Sequence, residues 1–204
     1  MKEHPILFSG PLVRAILAGR KTQTRRLVKH HGELVPSDKS IVVDAYPNGT
    51  PGWFAEWPHK YGQRRALTCP FGAPGDRLWV RETWGAGGMI KPGDPASYAA
   101  DWPDAETVRK WKPSIHMPRA LSRIDLEVTA VRAERLRDIT EEDAVAEGIE
   151  RVSHGVYDGG GPAMGPSAQQ AFMRLWDSIN GERASWASNP WVWVVSFKVL
   201  RGAQ

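Results

Sequence analysis

Ser122-Arg123-Ile124-Asp125-Leu126-Glu127-Val128-Thr129-Ala130 decides the fold class, because apolar and polar residues alternate along the run. Ser122, Ile124, Leu126, Val128 and Ala130 fall on one face and Arg123, Asp125, Glu127 and Thr129 on the other, the period of a strand with one buried and one wet side. Upstream, the turn Pro74-Gly75-Asp76 leads into Arg77-Leu78-Trp79-Val80-Arg81-Glu82-Thr83-Trp84, where Leu78, Val80 and Glu82 share a face. Downstream, Trp191, Trp193, Val195, Phe197 and Val199 line one face of a closing strand, with Ser196 and Lys198 on the other. A short strand over residues 5–8 opens the chain.

Three segments carry helical spacing instead. Ser9 stands at an N-cap position with Pro11 in the first turn, Leu12, Val13, Ile16 and Leu17 form the apolar face, and Gly19 supplies a left-handed C-terminal cap. Thr140-Glu141-Glu142-Asp143 resembles a capping box and opens a short helix that ends at Gly148. Ala168, Ala171, Phe172, Leu175, Trp176 and Ile179 follow a helical period that Asn180-Gly181 stops. Strands that mostly alternate, separated by only these helices and without regular βαβ order, imply an α+β fold around a small barrel or curled sheet. Two stretches rich in Pro, Gly, His and Trp, at about 29–72 and 85–117, read as irregular insertions, the first around one or two short strands. The chain as a whole, 1–204, is expected to be a single domain with these decorations.

Composition narrows the function classes. With 204 residues and 41% hydrophobic content the chain can bury an ordinary core. It has no apolar run of about 18 residues and no signal-peptide pattern, so the expectation is a soluble, cytoplasmic protein without membrane contact. Cys69 is the only cysteine, which excludes an internal disulfide and a thiol zinc cluster. His30-His31 and His59 lack partners at ligand spacing, and no metal or cofactor is expected. Gly159-Gly160-Gly161-Pro162 lacks the Lys-Ser/Thr of a phosphate loop and reads as a linker. Net charge is only +4, but between Glu3 and Glu33 every charged residue is basic: Arg14, Arg20, Lys21, Arg25, Arg26 and Lys29. That local field suits an anionic or nucleic-acid-like partner, and equally a solvated basic face.

The chemistry concentrates in Gly19-Arg20-Lys21-Thr22-Gln23-Thr24-Arg25-Arg26. A threonine hydroxyl needs a neighbouring base to become a nucleophile, and Lys21 can serve Thr24 if burial and the like charges of Arg20, Arg25 and Arg26 push its pKa down. On a regular strand positions 21 and 24 face opposite ways, so the segment must bend near Thr22. Glu147 falls in the last turn of its helix, where the helix dipole disfavours a carboxylate and favours a protonated general acid. Pairing with Arg151 or solvent is the plainer reading of Glu147. Thr22, Arg26, Glu82, His116 and Arg119 are candidate ligand contacts. Of the ten tryptophans, Trp79, Trp176 and Trp193 sit on core faces by pattern, while Trp53, Trp57, Trp84, Trp102 and Trp111 lie in the insertions and are the better candidates for stacking on a base.

The run Ile16 to Arg26, then Pro74-Gly75-Asp76-Arg77-Leu78, then Ile139 to Gly148, resembles the ordered landmarks of the ASCH family in the PUA-like superfamily. Ser114-Ile115-His116-Met117-Pro118-Arg119 and Leu175-Trp176-Asp177-Ser178-Ile179-Asn180 are similar to its longer phage and prophage members. The resemblance implies a small PUA-like β-barrel with flanking helices and a polar cleft associated with RNA or modified nucleobases. Small bacterial members are amidohydrolases that deacylate N4-acetylcytidine with a lysine, a threonine and a glutamate. Those roles fall on Lys21, Thr24 and Glu147 here, with a modified cytosine nucleoside as substrate and RNA as a further partner. The two insertions have no counterpart in the minimal enzymes and bear on substrate identity. A non-catalytic RNA or modified-base binding module and a ribonuclease using the same lysine are the competing readings.

Overall fold

The computed structural model describes residues 1–30, 32–35, 40–45, 51–56, 64–85, 97–102, 111–153, 156–158 and 167–201. Among them His31, Trp57, His59 and the 159–162 glycine run do not appear, so those expectations lie outside the described residues. In chain order the elements are β1 (Glu3–Leu7), α1 (Gly10–Leu17), β2 (Gln23–Leu27), β3 (Lys29–His30), β4 (Glu33–Leu34), β5 (Ser40–Ala45), β6 (Pro51–Glu56) and β7 (Arg64–Leu67). Then come β8 (Arg77–Arg81), β9 (Trp84–Gly85), β10 (Ser97–Tyr98), β11 (Asp125–Arg135), α2 (Glu141–Ala146), β12 (Glu150–Ser153), β13 (Val156–Asp158), α3 (Ala168–Asn180) and β14 (Trp191–Arg201). The fold is mixed α+β and mostly sheet. Its main strand order, β1-β8-β11-β14-β2, is open at both ends, and the described strands form no closed barrel.

The chain divides into two compact units, one from residues 1–22, 71–129 and 197–204, the other from 23–70 and 130–196. In the first, β1 runs parallel to β8, pairing Ile6 with Val80, and β8 runs antiparallel to β11, pairing Leu78 with Leu126. The alternation holds over 122–128, where Ile124, Leu126 and Val128 are fully buried between half-exposed neighbours, and ends before Ala130, which is exposed and not on a buried face. α1 packs Val13, Ala15 and Ile16 inward, and Pro11 in its first turn forgoes an N–H that would have no helical partner. Trp79 departs from its expected core position. It lies opposite Leu78 and Val80 on β8, half-buried, with the guanidinium groups of Arg81 and Arg119 at 5.4 and 5.9 Å from its ring.

In the second unit, β2 runs antiparallel to β14, with Thr24 opposite Val195 and Arg25 opposite Val194. One face of β14, Val192 and Val194, packs on Leu136, Ile139, Ala144, Phe172 and Trp176 from the turn after β11, α2 and α3. Trp193, on the other face, meets Trp53 of β6 edge-on at 5.0 Å. Both faces of β14 are therefore buried over 192–195, whereas on the face of Ser196 and Lys198 the first is half-buried and the second exposed, and Val199, expected on the apolar face, is exposed as well. Residues 28–71 hold more order than expected, with β5, β6 and β7 in an antiparallel sheet and β3 paired with β4.

Candidate functional site

The segment 19–26 is shaped by the end of α1. Gly19, at φ +70°, lets its own N–H return to Ile16 O, and the N–H groups of Arg20 and Lys21 both reach Ala15 O at 2.9 and 3.0 Å. This left-handed cap turns the chain sharply, and the strand begins only at Gln23. Strict alternation therefore does not govern Lys21, which precedes the strand. Within the first unit Lys21 is 1% exposed, its ammonium 5.6 Å from the Phe8 ring. Thr22 is exposed at its side chain, and its carbonyl accepts the Phe197 N–H.

In the second unit Gln23, Thr24 and Arg25 are all buried. Gln23 and Arg25 share one face of β2, Thr24 and Arg26 the other. The Arg25 side chain is 0% exposed and ends among three carboxylates. Its Nη2 donates to Glu134 and, at 2.7 Å, to Asp143, while Nη1 donates to Glu147 at 3.3 Å. Arg132 binds the first two acids as well, at 2.7 Å to Glu134 and 2.8 Å to Asp143. Gln23 Nε2 also donates to Asp143. Asp143 is pushed up by burial, but its hydrogen bonds from Gln23 and Arg25 and the charges of Arg25 and Arg132 outweigh that and leave its pKa below the ordinary value. Burial pushes the Arg26 guanidinium down, against the opposing pull of Glu147.

Two local motifs deliver these acids. Thr140 Oγ1 accepts the Asp143 N–H at 3.1 Å, which makes half of the capping box, while the Asp143 carboxylate turns to the arginines. Glu147 is the C-cap of α2, stopped by Gly148 at φ +94°. Glu147 pairs with the Arg25 guanidinium in the interior and is not a solvent-facing carboxylate. The basic stretch is correspondingly not an open cationic face at Arg25, because acids from β11 and α2 neutralise it in the interior.

The other candidates lie in the first unit. Both oxygens of Glu82, 1% exposed, accept from Arg123 at 2.9 and 3.0 Å, and Arg123 also forks onto Asp101 and stacks 4.0 Å from the Tyr98 ring centre. Burial pushes the Glu82 carboxyl up, even against Arg123. Arg119 makes surface ion pairs with Glu3 and Asp125. His116 is exposed in the short turn Ser114–His116. Of the tryptophans offered for stacking, Trp84 is buried and Trp102 is 57% exposed.

Sequence reasoning missed Arg25, Glu134 and Asp143 as a group. A signal for it exists: Asp143 and Glu147 stand four residues apart on one short helix, a like-charge spacing that is unfavourable unless a cation sits between them. The basic stretch between Glu3 and Glu33 supplies that cation. Among the described residues no group of His, Cys, Asp and Glu has the arrangement of a metal site, and no helix is long and apolar enough to cross a membrane. No protein-family model, curated protein or solved structure matches the chain.

Proposed function

We propose that the protein is a cofactor-independent amidohydrolase that removes the acyl group from an N4-acylated cytosine nucleoside or a related modified base. One observation carries the reading. Of the seven buried polar or charged residues among those described, Lys21, Gln23, Thr24 and Arg25 fall in one five-residue run, and Glu147 is bonded to Arg25. Burying polar groups costs desolvation even where they are paired, and their concentration in one short run supports a functional reading of it. The resemblance to the ASCH family supports the same residues, and the PUA-like barrel it implies belongs to this reading.

On this reading Thr24 Oγ attacks the acyl carbonyl carbon as its proton passes to Lys21. The C–N bond then breaks, Glu147 gives a proton to the departing exocyclic nitrogen, and water releases the acid from the acyl-threonine. Thr22, Arg26, Glu82, His116 and Arg119 remain candidates for holding the base and sugar.

The test is incubation of the purified protein with N4-acetylcytidine, with cytidine and acetate followed by chromatography. The wild type is expected to turn over, and Thr24→Ala and Lys21→Ala to lose about 10²- to 10⁴-fold in kcat. No turnover across a panel of N4-acylated cytosines, or full activity in Thr24→Ala, overturns the proposal. Salt-dependent oligonucleotide binding that survives Thr24→Ala would instead identify a binding module, and cleaved phosphodiester a ribonuclease.

A further inference from the structure

We propose that Arg25 is the positioning residue for Glu147, a guanidinium locked from behind so that it holds one carboxylate in a single orientation. The role of Glu147 rests on the amidohydrolase reading; the role of Arg25 rests on geometry. Arg25, Glu134, Arg132 and Asp143 close a ring of alternating charge: Arg25 to Glu134, Glu134 to Arg132, Arg132 to Asp143, and Asp143 back to Arg25. Two cations and two anions balance within that ring. Glu147 is therefore not needed to neutralise Arg25, yet it is attached to the same guanidinium through the other terminal nitrogen.

The lock is stiff by construction. Arg25 is 0% and Glu147 5% exposed at the side chain, so neither has solvent to move into. The Phe172 ring of α3 lies 5.9 Å from the guanidinium carbon. Arg25 Nε–H is buried without an acceptor among the described residues, and the guanidinium is oriented by what its two Nη groups reach. Those two groups span one turn of α2, from Asp143 in the first turn to Glu147 at the C-cap. A planar fork does this in a way an ammonium does not, because its two donors are fixed at a set separation and angle.

The test is a double-mutant cycle on N4-acetylcytidine together with a crystal structure of Arg25→Lys. Arg25→Lys keeps the charge and loses the fork. It is expected to lower kcat about 10²-fold with KM nearly unchanged, the size of effect a displaced catalytic group produces. In a Glu147→Gln background the same change is expected to cost little, since the group it positions is already gone. Asp143→Asn, which loosens the ring and leaves Arg25 in place, gives the same pattern at smaller size and serves if Arg25→Lys does not fold. Losses that simply multiply in the double variants overturn the inference, because a purely structural role acts independently of Glu147. In the Arg25→Lys or Asp143→Asn crystal, Glu147 is expected to leave its wild-type orientation; a carboxylate unmoved there overturns the inference whatever the activity. A wild type inert on every acylated cytosine overturns the amidohydrolase reading and leaves the crystal to decide the role of Arg25.

Discussion

Asp143 joins a helix cap to two guanidinium groups, and its titration reports on that junction. Its folded pKa lies below the ordinary value, so near that value the unfolded chain binds more protons than the folded one. Stability from this carboxylate is then fully present above about pH 4, its unfolded range, and is lost as pH falls through the folded value. Urea titrations of the wild type from pH 7 to pH 3 should show a falling midpoint below about pH 4, and Asp143→Asn should flatten that fall while costing about 1–2 kcal/mol at pH 7. An acid limb of unchanged steepness in Asp143→Asn would show that Arg25 and Arg132 do not stabilise this carboxylate. Glu82 works with the opposite sign: burial raises its folded pKa, so the folded state holds its proton longer and this carboxyl lowers stability as pH rises.

At the scale of the element, the C-terminal cap of α1 matters more than the helix it ends, because it aims the segment that follows. Gly19 sits at φ +70° with open space where a Cβ would go, so Gly19→Ala meets no clash and pays only for the left-handed backbone. A loss of about 1–2 kcal/mol in urea unfolding is expected, with Gly19→Asn milder because asparagine tolerates that conformation. Equal stability of Gly19→Ala and wild type would mean the cap relaxes to another geometry. This cap was legible in the sequence, as were α1, α3, β8 and the alternating part of β11, since each follows from periodicity within one segment. Of the strands in residues 28–71 only one or two were expected, and their positions and pairing were not legible. Their pairing is set by partners, and β5 to β7 show it, with Trp53 finding Leu67 on one side and Val43 on the other. β14 was legible in part for a related reason: its alternation shows at Ser196 and Lys198, while the second unit covers both faces over 192–195. The site was half legible. Lys21, Thr24 and Glu147 stood out by residue type and resemblance, but the Arg25 ring depends on Glu134 and Asp143 arriving from over a hundred residues away.

Neither compact unit is a continuous piece of chain, and this bears on how the whole molecule unfolds. β11 gives residues up to Thr129 to the first unit and from Ala130 to the second, and β14 is divided between Ser196 and Phe197. β11 and β14 therefore run as continuous backbone from one unit into the other. Within the first unit 125–127 pair with β8, and within the second 192–196 pair with β2. A chain of 204 residues exceeds the size at which two-state unfolding is usual, about 150 residues, so independent melting of two units would otherwise be the default. The shared strands argue for one transition. Tryptophan fluorescence and far-UV circular dichroism are expected to give coincident urea curves. Leu78→Ala in the first unit should shift that single curve by about 2–5 kcal/mol, the usual cost of deleting a fully buried leucine side chain, and Val192→Ala in the second should shift it by a smaller amount. Two resolved transitions, with each variant moving only one of them, would show that the shared strands do not couple the units.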